Sequence, residues 1–353
     1  MNLQELDAAL VVGEGTLALT DEMLPGAGFG ALLRAFNGGM PLVITGADKR
    51  TAGTATVVTG ACSFLGVPVT TVTATFTVDA AGTPVAQIHM ALPPATATNP
   101  WKFSQSFPDL PNVPVAGSRG GSQQAAFLDT FAFTAPAFVL ATQGGVEPQT
   151  QAPLNAGLNF LGTVRLDGVL GLLQTLVASN SPVLLFGTIT APAQAPAAPP
   201  LPPDTYPWQT GGAVPGIQLA AVLPGMWSLS SVLLDALHYR VYVPPSTRWM
   251  ASNPTYETSA AVGGRLTIPS AGLTADATAA TVPGSSTTII SALFPPNSLP
   301  SLDSLVDVAN GKDLFQLLPP SLQEIGPALS GLALEAVGLS ITGGIAPGDI
   351  DYA

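Results

Sequence analysis

The stretch that most constrains the fold is residues 67–92, where apolar and polar residues alternate with a period of two. Four threonines alternate with four apolar residues along 71–78, and the return arm at 86–92 alternates in a similar way. Between the arms, residues 79–82 have the Asp and Gly composition of a tight turn. Such a pattern is typical of an antiparallel strand pair that buries one face. It predicts a sheet whose other face is rich in threonine and open to water.

A short motif, Gly-x-Leu/Val-x-Leu/Ile, indicates further strands with one buried face, because its apolar residues also alternate. It occurs three times, at residues 15–19, 162–166 and 264–268. The intervals between the copies are unequal. They therefore indicate repeated units with insertions rather than the short, regular period of a solenoid.

Two longer segments also recur. Residues 32–46 and 173–187 both run from apolar residues at helical spacing, through a proline, into a strand-like run. A segment that begins at Trp101 is echoed by one that begins at Trp227, and an aspartate stands eight residues after each tryptophan. We interpret these echoes as a sign that the chain is built from related units.

The echoes predict three units: a β-rich unit at 1–150, a second at 151–255, and a divergent third at 256–353 with a helical C-terminal part. Residues 191–203 contain six prolines and are expected to form an extended crossing within the second unit. The predicted fold class is mainly β with short helices, a β-rich α+β arrangement. We expect repeated antiparallel sheet units packed face to face through their apolar sides.

The surface of this protein must be weakly charged, because charged residues make up only 9% of the chain, against roughly 25% in an ordinary globular domain. Such a surface does little to keep molecules apart. Either a protein partner, copies of the chain or a ligand covers much of it, or the composition is simply biased toward small and polar residues. The net charge of −12 is a poor match for phosphate backbones and anionic lipid, so we expect no nucleic-acid partner and no electrostatic attachment to a membrane.

The cysteine content, the N-terminal residues and the apolar runs indicate where in or outside the cell the protein is expected. Cys62 is the only cysteine, which excludes an intramolecular disulfide and a thiolate metal cluster. The first residues are acidic and lack the basic segment of a secretory signal. The longest stretch nearly free of charge, 168–234, is broken by polar residues and proline before it reaches the length of a membrane span. We therefore expect no membrane span, and a protein that is cytoplasmic or released without a cleaved signal peptide.

Few residues offer catalytic chemistry. His89 and His238 lie on predicted polar strand faces, and no spacing brings them to a nucleophile or a set of metal ligands. Asp109 and Asp235 occupy the same place in the two tryptophan echoes, so pseudo-symmetric units would bring their carboxylates face to face. Two carboxylates about 5–9 Å apart can hydrolyse a glycosidic bond. The plainer interpretation is an acid that caps a helix or a turn.

Aromatic side chains are the best candidates for ligand contacts. Five of them are candidate ligand-binding residues: Trp101, Tyr206, Trp208 and Trp227, which could form an aromatic platform, and Trp249. Aromatic faces offer a large contact area at small entropic cost, which suits sugars and apolar ligands. The alternative for Trp101 and Trp227, which their repetition favours, is that each anchors the core of its unit. Trp208 and Trp249 lie in predicted loops and are the better candidates for exposed contacts.

These observations predict a non-enzymatic structural or binding protein that assembles with itself or with another protein through weakly charged β surfaces. The alternative is a carrier or receptor for an apolar or carbohydrate ligand held near Trp101 and Trp227. A second alternative is a hydrolase that uses Asp109 and Asp235. The sequence assigns no metal ligand and no cofactor.

Overall fold

The chain has 353 residues. A computed structural model describes residues 1–114, 124–165, 182–192, 214–223, 227–229, 232–253, 256–268, 273–281, 287–293, 336–342 and 350–352. Spatial contacts divide the chain into two compact units. The first comprises 1–169, 181–221 and 241–258, and the second comprises 170–180, 222–240 and 259–353. The predicted division into three units was drawn from the echoes instead, and it stays a prediction.

The first unit is dominated by one antiparallel sheet. Its strands are β1 (Thr16–Leu19), β2 (Leu42–Ala52), β3 (Ala55–Phe64), β4 (Val67–Val78), β5 (Pro84–Ala91), β8 (Ala137–Ala141), β11 (Gly157–Val164), β12 (Val183–Thr190) and β13 (Gly216–Val222). They lie side by side in that order. Two small hairpins accompany the sheet, β6 (Asn112–Pro114) with β7 (Gln124–Ala126), and β9 (Gly145–Val146) with β10 (Pro153–Leu154). The prediction of a mainly β fold with antiparallel sheets is confirmed.

The second unit is also built of antiparallel strands. They are β14 (Trp227–Leu229), β15 (Val232–Val243, which the first unit shares), β16 (Ser259–Ile268), β17 (Leu273–Thr281), β18 (Thr287–Leu293), β19 (Ala336–Thr342) and β20 (Ile350–Tyr352). Strand β14 pairs with β15, and β16 to β20 pair successively as neighbours. Face-to-face packing of repeated units stays a prediction.

The described helices are short. They are Leu3–Ala9, Phe29–Phe36, Phe103–Ser106 and Thr247–Ser252, with 3-10 turns at Asp21–Met23 and Phe127–Thr130. The helix predicted before Pro41 is confirmed, and the strand after that proline begins at Leu42 as expected. Three other predictions lie outside the described residues. They are the second copy of this helix before Pro182, the proline-rich crossing from residue 193 onward, and the helical C-terminal part at 301–322. Within the described ranges, no helix is long and apolar enough to cross a bilayer.

The hairpin predicted from 67–92 is confirmed. Strands β4 and β5 pair from Thr71 opposite Ala91 to Val78 opposite Pro84. The apolar residues of the alternating pattern are buried except Val78 at the end of β4, which is half-buried, while the threonines between them are partly or fully exposed. The carboxylate of Asp79 accepts hydrogen bonds from the N–H groups of two residues in the turn, which closes the loop between the strands.

The three copies of the Gly-x-Leu/Val-x-Leu/Ile motif overlap strands β1, β11 and β16, as predicted. The third copy lies wholly in its strand, whereas the second runs past the end of β11 at Val164, and its last residue, Leu166, is outside the described residues. The tryptophan echo behaves differently. Trp101 precedes a four-residue helix, Phe103–Ser106, whereas Trp227 begins strand β14 and pairs with Leu234. The two copies therefore do not share a local fold, because similar spacing of apolar residues is compatible with either conformation over so short a stretch.

Aromatic rings form the centre of the first unit. Trp101 is only 4% exposed, and its ring stacks on Phe160 with the centroids 5.6 Å apart. Phe103 and Phe138 contact the same indole at centroid distances of 4.6 and 5.3 Å. The indole N–H donates to Ser106 Oγ at 3.1 Å, so its polar atom is satisfied inside the core.

Candidate functional site

A half-open cleft of about 320 Å³ lies in the first unit. Segments far apart in the sequence meet there: the end of a helix, a hairpin turn, a loop, the adjoining ends of two strands, and the start of another helix. All but three of its described lining residues are apolar or glycine, the exceptions being Asp109, Thr190 and Ser246. The cleft is thus an apolar site with few polar groups, which is the usual character of a small-molecule site.

One wall is the C-terminal end of helix Phe29–Phe36, which contributes Ala35 and Phe36. The helix starts at a glycine in the left-handed region, Gly28, and the carboxylate of Asp21 accepts the N–H of Gly30 at 2.7 Å. That carboxylate satisfies one of the unpaired donors of the first turn and complements the helix dipole. The apolar face of this helix packs inward, and this holds the buried ring of Phe36 at the cleft.

A second wall is the two-residue turn between β3 and β4, formed by Leu65 and Gly66. Their φ angles are 50° and 75°, so both lie in the left-handed region of a type I′ turn. This region suits Gly and Asn, but it costs a bulky residue such as leucine about 1–2 kcal/mol. The half-buried Leu65 therefore lines the cleft at the expense of backbone strain. Strained positions of this kind concentrate at functional sites.

A third wall follows helix Phe103–Ser106. Phe107 closes that helix through its N–H, which donates to the oxygen of Phe103 at 2.8 Å, and its ring packs on Phe138 with the centroids 6.2 Å apart. Leu110 is buried, whereas Asp109 between them is exposed. The main-chain oxygen of Asp109 accepts the N–H of Thr247 at 3.1 Å, so the backbone that carries this carboxylate is anchored.

The floor comes from the adjoining ends of β12 and β13, where Ile189 pairs with Ile217 and Thr190 pairs with Gly216. Gly216 has a φ of 129°, and a Cβ added there would lie 2.5 Å from the main-chain oxygen of Val243. Only glycine fits both the conformation and the space at this position.

The remaining rim is Pro245 and Ser246, just before helix Thr247–Ser252. Ser246 is the N-cap of that helix, and its Oγ accepts the N–H of Trp249 at 3.1 Å. The half-buried Trp249 ring packs edge-on against Tyr256, with the centroids 5.4 Å apart. Trp249 thus supports the rim from outside the cleft rather than lining it.

Of the other aromatic residues predicted from the sequence, only the side chain of Trp101 is described, and it is not among the residues that line this cleft. Trp101 is a buried core residue, as the alternative interpretation had it, and offers almost no surface to a ligand. Strand β14 contains the backbone of Trp227, but its side chain is outside the described part of the structure, as are Tyr206 and Trp208 altogether.

The two aspartates have different surroundings. Asp235 forms a two-pronged ion pair with Arg265, whose Nε and second guanidinium nitrogen donate at 2.8 and 2.9 Å. The Arg265 hydrogen bond lowers the pKa of Asp235 below its ordinary value, which keeps this carboxylate ionised and engaged. The hydrolase hypothesis gains no support from this pairing and stays a prediction.

The histidines and the cysteine show no catalytic arrangement in the part of the chain that the structure describes. Burial lowers the pKa of His89, against an opposing effect of Glu147. Burial also lowers the pKa of His238, and the positive charge of Arg240 adds to that effect. Burial raises the pKa of the Cys62 thiol to about 11, so this group is an unreactive thiol at neutral pH. No group of described acids, histidines and cysteine is arranged to hold a metal ion.

Sequence reasoning singled out Asp109 but missed Leu65, Phe107 and Gly216. One local signal was available: Leu65 and Gly66 separate two alternating runs by two residues, which is the length of a type I′ hairpin loop. The cleft forms where segments far apart in the sequence pack together, and no local sequence pattern indicates that packing. Comparison of the chain with protein-family models, with curated proteins and with solved structures found no match.

Proposed function

We propose that this protein binds a small apolar molecule in the cleft of its first unit and holds it without chemical change. The observation that carries this proposal is the lining, which is apolar apart from Asp109, Thr190 and Ser246. Sites for small ligands are typically concave, largely apolar and supplied with a few polar groups that orient the ligand. Burial of apolar ligand surface would supply the binding free energy.

The size of the cleft limits the ligand. Its volume of about 320 Å³ is at the lower end of the range for small-molecule sites. A water molecule takes about 30 Å³ of the liquid, so the cleft holds the volume of roughly ten waters, which suits a ligand of about that many non-hydrogen atoms. A polysaccharide is a poorer candidate, because three polar residues cannot satisfy the many hydroxyls of a sugar.

The walls of the cleft support a site that exists before the ligand arrives. The helix that carries Phe36 is held through Asp21, and the loop that carries Asp109 is held through Thr247. A ligand that enters a preformed site does not have to order these groups, which lowers the entropic cost of binding.

The experiment is calorimetric titration of the purified chain with octan-1-ol, 2-phenylethanol and maltose. The two alcohols are expected to bind and the sugar is not. The variant Ala35→Trp fills the cleft from its helical wall and is expected to abolish binding of both alcohols. The matched control is Ala31→Trp, at an exposed residue one turn earlier in the same helix that does not line the cleft, and this variant should bind as the wild type does. Absence of alcohol binding by the wild type, or equal binding by Ala35→Trp, would contradict the proposal.

Self-association is a second candidate, favoured by the outer face of strands β3, β4 and β5. There Thr59, Thr73 and His89 form a cross-strand row, and the lowered pKa of His89 leaves the row uncharged at neutral pH. Light scattering after size exclusion tests it: assemblies of the wild type should dissociate in Thr73→Lys and persist in the control Ala31→Lys. A monomeric wild type at high concentration would remove this candidate.

A further inference from the structure

The cleft has one charged residue among its described lining residues, and that residue is an acid, Asp109. We infer that the ligand is an amphiphile with a positively charged end, such as a primary amine on an alkyl or aryl body. This inference rests on the proposed function and names the class of ligand. Its basis is the placement of one carboxylate, carried by an anchored stretch of backbone, in an otherwise apolar lining.

The apolar part of the lining would take the body of the ligand. The rings of Phe36 and Phe107 and the side chains of Ile189 and Ile217 line the cleft, and none of these four groups can form a hydrogen bond through its side chain. A hydrocarbon or aromatic body gains free energy there in proportion to the area that leaves water. The two rings also offer π faces, which attract a nearby cation.

Asp109 would take the charged end. Its main-chain oxygen is bound by the N–H of Thr247, while its carboxylate accepts no hydrogen bond from any described residue. Buried Leu110 and ring-packed Phe107 flank it, so the exposed carboxylate stands directly beside apolar surface. A carboxylate in that position can accept a charge-assisted hydrogen bond from an ammonium group whose body lies in the cleft.

The other polar groups of the cleft do not favour a negatively charged ligand. Thr190 and Ser246 are neutral, and Ser246 Oγ already accepts the N–H of Trp249. None of the described residues that line the cleft is a lysine, an arginine or a histidine. The chain as a whole carries a net charge of −12, which attracts cations and repels carboxylates. A fatty acid with its alkyl chain in the cleft would therefore bring its carboxylate toward the negative charge of Asp109.

Titration calorimetry at neutral pH with octylamine, octan-1-ol and octanoate tests this inference, because the three probes share one alkyl chain and differ in charge. Octylamine is expected to bind about three- to tenfold more tightly than octan-1-ol, and octanoate more weakly than either. High ionic strength should reduce the advantage of octylamine, since salt screens a partly exposed ion pair. Ala35→Trp should abolish binding of octylamine, which separates the cleft from other sites on the acidic surface.

The decisive variant is Asp109→Asn, which removes the charge and keeps the size of the side chain. Octylamine and octan-1-ol should then bind with similar affinity. The control Asp48→Asn changes the net charge by the same amount at an exposed residue of β2 and should preserve the preference. If Asp109→Asn keeps the preference, or octanoate binds most tightly, the inference is overturned while apolar binding stands. If none of the three probes binds the wild type, the proposed function fails as well.

Discussion

The hydroxyl of Tyr242 donates a hydrogen bond of 2.9 Å to the main-chain oxygen of Pro215, and the tyrosine ring is completely buried. Pro215 stands directly before Gly216, which forms part of the cleft floor. This one bond therefore connects the core beside Tyr256 with the residue directly before β13.

Tyr242→Phe should destabilise the protein by about 1–2 kcal/mol, because the carbonyl of Pro215 would lose its described partner inside the fold. Urea denaturation should show a lower midpoint with an unchanged slope. An unchanged midpoint would mean that water replaces the lost hydroxyl at no cost.

Gly216→Ala should destabilise the protein by more than about 2 kcal/mol, since the added Cβ would lie 2.5 Å from the Val243 oxygen at a φ that L-residues rarely adopt. It should also weaken binding of octan-1-ol, because the strand end that forms the floor must move. The control is Gly145→Ala, whose Cβ would have no atom within 4 Å. Similar denaturation midpoints for the two variants would show that the floor tolerates a side chain.

Leu65→Asn tests whether the strained turn serves the cleft. Asparagine accepts the left-handed conformation, so relief of strain should offset much of the lost apolar burial and keep stability within about 1 kcal/mol of the wild type. Binding of octan-1-ol should weaken, because a polar amide replaces an apolar wall. Glu14→Asn makes the same change in a similar turn, where Glu14 has a φ of 50°, and this residue is not part of the cleft lining. This control should stabilise the protein and leave binding unchanged, and weaker binding in both variants would contradict the role of Leu65.

The stability of the protein should fall as the pH is lowered through about 6.5. Burial lowers the folded-state pKa values of His89 and His238 below their ordinary value of 6.5. The unfolded chain therefore binds protons in a window where the folded chain does not, and stability rises with pH across that window. Urea midpoints measured at several pH values should show this dependence. Replacing either histidine with glutamine should reduce the slope, and an unchanged slope in both variants would refute the assignment.

Local patterns in the sequence predicted the strands well and the cleft poorly. The alternation of Val72, Ala74 and Phe76 with threonines is a property of neighbouring residues, and burial on one face follows from it directly. The cleft instead joins Phe36 to Ile217, and no pattern with a period of two or of 3.6 residues reports on such a distance. Trp101 illustrates the limit in another way, because its spacing was compatible with a platform or a core, and only the packing of Phe160 against it placed it in the core.

Two buried threonines with opposite surroundings provide the last prediction. The hydroxyl of Thr258 has no hydrogen-bond partner among the described residues, whereas Thr56 Oγ1 donates to a carboxylate oxygen of Asp7 at 2.9 Å. Thr258→Val replaces an unsatisfied polar group with a methyl group of similar size, so stability should stay the same or rise by about 1 kcal/mol.

Thr56→Val removes a satisfied bond to a charged group and should cost about 1.5–3 kcal/mol. Its partner Asp7 lies in helix Leu3–Ala9, so loss of this bond should loosen that helix. The helix would then depend on Lys49, whose ammonium group lies 2.9 Å from the main-chain oxygen of Asp7. Hydrogen exchange of that helix would report the loosening, while Thr258→Val should leave its exchange rates unchanged. If the two valine variants shift the urea midpoint equally, the hydroxyl environments do not differ as described, since the substitution itself is the same in both.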